Sequence, residues 1–340
     1  MKKKEPLSIK DIARAADVSH STVSRALRNS PLVSAETADR IRRIAVESNF
    51  RLSAVGRSLA TGRTYSIGVV VSSIADPFVA EVVSGIEETA NARGYSVMLA
   101  TSRADPDLEM KVVQTFEERR VDGLLLTASR VGAAYTGLLA ELKIPIVVIN
   151  NQQAGDAAYS VVVDNVGASR AAVRFLVQLG HRKIGYVGDR FGFQSDAARL
   201  DGYRQALAGL DLPARPDHVV AGDSNPEGGM HAMDQLLARS DPPTAVFCYN
   251  DMTAIGALTS IARHNLRVPE DISVVGFDDI LVASYTQPPL TTVRQPKRLM
   301  GQVATEILLN LLSGSTTETS RRLQGELIVR ESTAPPPRQK

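Results

Sequence analysis

The chain reads as two folds in series: a small all-α head with a helix-turn-helix pattern, and a larger α/β body of two doubly wound parallel sheets. Three observations predict this. Charge is divided unevenly along the 340 residues, with 13 Lys and Arg against 6 Asp and Glu through Arg63, net +7, and net −5 over the remainder. The first 50 residues hold three short helical patterns, whereas from Tyr65 onward short apolar runs alternate with helix-length segments. A chain of this length with 44% apolar and 22% charged residues has the composition of a folded protein of two or three domains. The single cysteine leaves no disulfide framework or multi-Cys zinc site and fits a reducing cytoplasm. No run approaches the ~20 apolar residues of a membrane span. The basic opening MKKKEPLSIK has no apolar segment behind it, so no secretory signal is expected.

The head is justified helix by helix. Ser8-Ile9-Lys10-Asp11 is a capping box, and Ile12, Ala13, Ala16 and Val18 follow at helical spacing. Ser19 caps a second helix, HSTVSRAL, in which Val23 and Leu27 face the first helix and leave His20, Ser21, Ser24 and Arg25 outward. After the loop RNSPLV, Ser34 caps a third helix with Ala38, Ile41, Ile44 and Ala45 along one face. Two short helices joined by a tight turn and backed by a third form a helix-turn-helix, and a basic one suits a polyanion.

In the body, SIGVVV, YSVMLA, DGLLL, PIVVI, YSVVV, KIGYV, TAVFCY and ISVVGF read as strands buried on both faces, and the series restarts near Ser160. Several end on small polar or acidic residues: Ser72-Ser73, Thr101-Ser102, Thr127, Asn150-Asn151, Gly188-Asp189, Asn250-Asp251 and Asp278-Asp279. Open parallel sheets bind ligands outside the carboxyl ends of their strands, so this pattern predicts a cleft lined for a polar small molecule. Any one of these residues alone is more simply a helix cap.

The string SIKDIARAADVSHSTVSRAL closely resembles the DNA-reading headpiece of the lactose-repressor (LacI/GalR) family of bacterial transcription regulators. It departs at Ser8, where Thr is usual, and at Asp17, where Gly is usual; Asp tolerates the left-handed conformation that the turn requires. The resemblance implies that His20 and Ser21 read base edges and that Arg25 makes a bidentate contact to guanine. It implies phosphate contacts from Ser8, Ser19, Thr22, Ser24, Ser34 and Thr37, which fix register rather than sequence. Ser8 and Ser34 serve equally as local caps. Arg28-Asn29 replaces the family's Asn-Gly, with Arg28 adding a phosphate contact and Asn29 able to take positive φ.

Residues 49–59, NFRLSAVGRSL, resemble the family's hinge segment. A two-turn helix that carries a Gly is marginal alone and should fold only with a partner. In the family, hinges of two subunits pair in the minor groove and a Leu wedges into the central base step; here Ala54, Arg57 and Leu59 hold the matching positions. Leu52 replaces the usual Pro and Gly56 the usual Ala, both of which loosen the free hinge.

The resemblance continues through IADPF, RVDGLLL, NDMTAIGAL, RVPEDISVVGFDD and PPLTTVRQP, and implies a periplasmic-binding-protein-like body with an effector between two subdomains. The expected division is a headpiece over 1–49, a hinge over 50–64, a body over 65–332 and a disordered tail over 333–340. The subdomains are expected at 65–163 plus 294–323 and at 164–293 plus 324–332. Carried over by position, effector contacts come from Phe78, Asn150, Ser195, Arg199, Asn250, Asp278 and Gln295. Arg199 offers a planar donor fork, with an ion pair to Asp189 or Asp278 as its structural alternative. Ser224 stands where many members place a ring-stacking aromatic and the chain has no Trp, which leaves room for a more polar or acidic ligand.

Two rival functions weigh less. An enzyme lacks support: there is no G-x-G-x-x-G, Walker or G-x-S-x-G sequence, the five histidines form no metal-ligand spacing, and Cys248 reads as core. A transport binding protein would share the body but have no use for the basic head. The expectation is therefore a cytoplasmic, ligand-responsive repressor with no cofactor and no membrane contact. Its partners are double-stranded operator DNA, a small effector and a second copy of itself. No leucine heptads follow Arg330, so a dimer is expected rather than a tetramer.

Overall fold

The structure is a computed structural model that describes residues 8–27, 30–48, 50, 58, 62–127, 144–150, 159–315, 318 and 320–337. The chain divides into two compact units, 1–64 and 65–340.

The first unit contains α1 (Ile9–Ala15), α2 (His20–Ala26) and α3 (Ala35–Glu47). The Ser8 N–H and hydroxyl both donate to the Asp11 carboxylate, at 2.9 and 2.6 Å, so the predicted box forms. Those bonds hold the Asp11 carboxyl below its ordinary range. The turn between α1 and α2 puts Asp17 at φ 49°, the left-handed conformation anticipated where Gly is usual. Ile12, Val23, Ala26 and Ile41 are fully buried and form the centre of the head core, while Leu27 and Ile44 pack against it half-buried.

In the second unit, the first sheet contains β1 (Ser66–Val71), β2 (Ser96–Thr101), β3 (Gly123–Thr127), β4 (Ile146–Ile149) and β5 (Tyr159–Val163). A later strand, β11 (Ser320–Leu323), joins at its edge, giving the all-parallel order β11-β5-β4-β3-β1-β2. Successive residues of β1 serve opposite faces. Val69 and Val71 pack toward α4 (Pro77–Ala92) and α10 (Lys297–Leu312), and Val70 toward α5 (Pro106–Glu118). α4 and α10 approach closely because each carries a glycine at the crossing: a Cβ on Gly85 would sit 2.1 Å from the Arg298 carbonyl oxygen, and one on Gly301 2.1 Å from that of Val82.

The second sheet has the parallel order β7-β6-β8-β9, with β6 (Ile184–Asp189), β7 (Val219–Gly222), β8 (Ala245–Cys248) and β9 (Ser273–Val275). Its faces are covered by α6 (Asn165–Gln178) with α7 (Gln194–Ala208), and by α8 (Pro226–Leu237) with α9 (Asp251–Arg263). An antiparallel ribbon of β10 (Thr292–Arg294) and β12 (Glu326–Ile328) carries the chain between the sheets. β5 therefore belongs to the first sheet, and the second begins at Ile184 rather than near Ser160.

The tail expected to be disordered from residue 333 is tied down over 333–337. His181 Nε2 lies 2.8 Å from the Ala334 carbonyl oxygen, the Ala334 N–H donates to Ser273 Oγ at 3.0 Å, and Thr291 and Thr333 hydroxyls meet at 3.0 Å. Proline-rich composition signalled a lack of helix or strand, but the segment docks in extended form on the second sheet.

Candidate functional site

On the head, α2 presents His20, Ser21 and Arg25 exposed and Ser24 half-buried on the side away from Val23 and Ala26. Residues at i and i+4 lie one above the other, so His20 with Ser24 and Ser21 with Arg25 form a two-column face about one turn deep. The hydroxyls are held by capping. Ser19 Oγ accepts the Thr22 N–H at 3.1 Å and lies 2.7 Å from Ser21 Oγ and 2.8 Å from Thr22 Oγ1. Ser34 Oγ accepts the Thr37 N–H at 3.3 Å and donates to Thr37 Oγ1 at 2.8 Å. Ser8 caps α1 as described. Arg28, Asn29, Ala54, Arg57 and Leu59 lie outside the described residues, as do Leu52 and Gly56.

In the body, the carboxyl ends of the two sheets face each other across a cavity of about 500 Å³. Phe78, Asn150, Ser195, Arg199, Asn250, Asp278 and Gln295 all line it. The backbone explains the convergence. Asn150 after β4, Ser224 after β7 and Asp278 after β9 have φ of 62°, 57° and 119°, so the chain turns sharply at each strand end and leaves polar groups at the cavity wall. Such strained residues persist only where surrounding structure holds them, and they cluster at ligand sites.

Arg199 is 2% exposed and almost wholly committed to the protein. Its Nε donates to Asn165 Oδ1 at 3.0 Å and its Nη1 to the Tyr249 carbonyl at 2.5 Å, while its Nη2 faces Asp278 Oδ1 at 3.8 Å. Its guanidinium lies 3.7 Å from the Phe277 ring centroid and 4.6 Å from that of Tyr249. The Asp278 carboxylate accepts from Gln295 Nε2 at 2.6 Å. Burial pushes its pKa up to about 7, against the opposing pull of Arg199, with Asp76 adding to the rise. Burial likewise raises half-buried Asp76 and fully buried Asp251, whose carboxylate accepts from Thr292 and the Ile280 N–H. Ser195 Oγ and Tyr249 OH meet at 2.9 Å, and Asn250 caps α9 through the Thr253 N–H at 2.8 Å while donating to the Ser224 carbonyl at 3.1 Å.

Several wall residues carried no individual signal in the sequence. Phe191 and Phe193 supply the aromatic surface that Ser224 and the lack of Trp suggested was missing, from the loop after β6 instead of the loop after β7. Asp189 holds that loop: its Oδ2 accepts the Phe191 N–H at 2.9 Å, and its Oδ1 accepts the Ser224 hydroxyl at 2.6 Å from the loop after the neighbouring strand β7. Asp76 and Asp223 add carboxylates to the wall. Behind the wall, buried Lys297 on α10 donates to the carbonyls of Asp278 and Asp279 at 2.8 and 2.7 Å and pairs with Glu81 at 3.4 Å. It fixes the strained 278–279 corner of one sheet to a helix of the other.

Comparison with known proteins gives concordant results. The family described as "Bacterial regulatory proteins, lacI family" matches residues 8–53, and "Periplasmic binding protein-like domain" matches residues 173–333. The HTH-type transcriptional repressor CytR of Escherichia coli (strain K12) is 36% identical over 335 residues, 98% of each chain. The crystal structure of the lac repressor dimer bound to operator and the anti-inducer ONPF superimposes with a TM-score of 0.88 at 29% identity, over 97% of this chain and all of that one. A complex of the transcriptional regulator CelR with cellobiose gives 0.74 at 31% identity, over 96% of this chain and 99% of that one.

Proposed function

The chain belongs to the lacI family of bacterial regulatory proteins, and on that premise we propose that it represses transcription, binding a pseudo-palindromic DNA site as a homodimer whose affinity is set by a small polar effector in the body cavity. The observation that carries this reading is the pairing, in one chain, of an outward His20-Ser21-Ser24-Arg25 face with a polar cavity between two parallel sheets. A transport protein has no use for the first, and a simple DNA-binding module has none for the second.

In this reading Arg25 reads guanine, His20 and Ser21 read neighbouring bases, and Ser8, Ser19, Thr22, Ser24, Arg28, Asn29, Ser34 and Thr37 hold the backbone. Two heads related by two-fold symmetry read two half-sites. Ala54, Arg57 and Leu59 enter the minor groove between them. DNA as the partner places the protein in the cytoplasm. The effector contacts are Phe78, Asn150, Ser195, Arg199, Asn250, Asp278 and Gln295, divided between the two sheets so that a ligand bridging them favours one angle between subdomains. The shift cannot exceed the ligand's difference in affinity for the two arrangements. The lac repressor dimer held on its operator supports the dimeric reading.

The test is selection of DNA from a random pool, followed by titration of the selected duplex and sedimentation of the complex. The reading expects a palindrome, two chains per duplex and an affinity that falls steeply with salt through counterion release. Selection of no sequence, or a single chain on an asymmetric site, contradicts it.

A further inference from the structure

We infer that the cavity takes an uncharged ligand in which a flat ring is joined to several hydroxyl or amino donors, and that it rejects the same molecule once an anionic group is attached. This rests on the effector reading above and names the chemistry of its ligand.

The acceptors come first. Asn150 Oδ1 and Gln295 Oε1 are buried at the cavity and have no hydrogen-bond partner among the described residues. The Gln295 amide cannot be turned to hide its oxygen, because its nitrogen is committed to Asp278 at 2.6 Å. Native proteins rarely leave buried acceptors orphaned, and here both belong to side chains that line the cavity. The Asp278 carboxyl stands beside them, so the inner wall asks for donors.

The balance of charge excludes anions. Among the described residues the one buried cation on the wall, Arg199, spends Nε and Nη1 on Asn165 and Tyr249, faces Asp278 with Nη2 and packs its plane against Phe277. Asp76 and Asp278 flank the interior, and at the lip Arg190 already neutralises Asp223 at 2.6 Å. Arg103 sits on the exposed side, where solvent screens it. A phosphate or carboxylate brought inside would therefore lose its water and meet carboxylates.

The ring follows from the lip. Phe191 and Phe193, with centroids 6.3 Å apart and planes inclined by 57°, give the cavity an aromatic surface against which a planar group can pack, and Phe78 of α4 lines it as well. Asp189 ties the Phe191 backbone to Ser224 at the neighbouring strand end of the same sheet, so the aromatic surface is set before the ligand arrives.

Nucleosides and aryl glycosides share this chemistry, and calorimetry on the full-length protein separates them. One arm compares adenosine and cytidine with their 5′-monophosphates and with ribose. The other compares phenyl β-glucoside with phenyl β-glucuronide and with glucose. The inference expects a neutral ring-bearing compound from one arm to bind, its anionic partner and its ring-free sugar to bind at least 100-fold more weakly, and Phe191→Ala to cost at least tenfold. Equal or tighter binding of the anion or of the bare sugar overturns it, as does the absence of binding in both arms. Repeating the DNA titration with the bound compound separates the two readings. A neutral ligand that leaves DNA affinity unchanged defeats the effector reading and not this one, whereas an anion that shifts DNA affinity does the reverse.

Discussion

Replacing Lys297 with Met tests whether the strained 278–279 corner is held from the far side. The substitution keeps most of the apolar stem and removes only the ammonium. Two carbonyl oxygens, those of Asp278 and Asp279, then lose charged donors at 2.8 and 2.7 Å, and Glu81 loses its partner at 3.4 Å. Glu81 is 43% exposed and can be rehydrated, and the Asp278 carbonyl keeps the Gln295 N–H at 3.4 Å, so the cost falls mainly on the Asp279 carbonyl; at about 1–3 kcal/mol for a buried acceptor left unpaired, a loss of roughly 2–3 kcal/mol is expected. The unfolding entropy of a unit of about 280 residues is roughly 0.6 kcal/mol/K, which converts this to a fall in Tm of about 3–5 °C. Differential scanning calorimetry reads it directly. Asp278 and Asp279, at φ 119° and 54°, are free to relax once released, so affinity for any cavity ligand should fall as well. A Tm within 2 °C of the parent, with ligand affinity unchanged, would refute the reasoning.

Three further outcomes are expected, two from the structure and one from the sequence of the hinge. Gly301→Ala places a methyl 2.1 Å from the Val82 carbonyl oxygen and should cost at least about 2 kcal/mol in urea unfolding of the body through overpacking. Burial holds the His181 pKa below 6.5, so as pH falls through 6.5 the unfolded chain takes up the proton first and this residue's contribution to stability is lost; between pH 7.5 and 5.5 the urea midpoint of the parent should fall relative to that of His181→Gln. Buried Asp278, raised to about 7, acts with the opposite sign, so the variant comparison isolates the histidine. Gly56→Ala should tighten DNA binding in a gel-shift titration by favouring the hinge helix, and unchanged or weaker binding would defeat that account.

Much of this architecture is legible in the sequence because buried parallel strands announce themselves. SIGVVV, GLLL and AVFC are apolar on both faces and cannot be mistaken for surface. β11 could not be read this way: Ser320-Arg321-Arg322-Leu323 is an edge strand defined by backbone pairing with β5, a partner 160 residues away. β7, with four residues and an exposed Ala221, gave too short a pattern. Of the seven cavity residues named from the sequence, Asn150, Asn250 and Asp278 stand at strand ends, where such sheets bind ligands, whereas Phe78, Ser195, Arg199 and Gln295 came from the resemblance alone. Phe191 and Phe193 were legible by neither route, since their loop has no period and its shape depends on what Asp189 accepts. Lys297 escaped for a different reason: it acts on the backbone of the wall residue Asp278 from behind and does not itself line the cavity.

The most direct test of the central claim is the affinity of the selected DNA duplex for the full-length protein, measured by fluorescence anisotropy with the cavity empty and with it saturated by the compound that calorimetry identifies. A coupling of 1–3 kcal/mol, about 5- to 150-fold in DNA affinity, is expected, with the same factor returned when ligand affinity is measured on and off DNA. Identical DNA affinities in the two states would contradict the account.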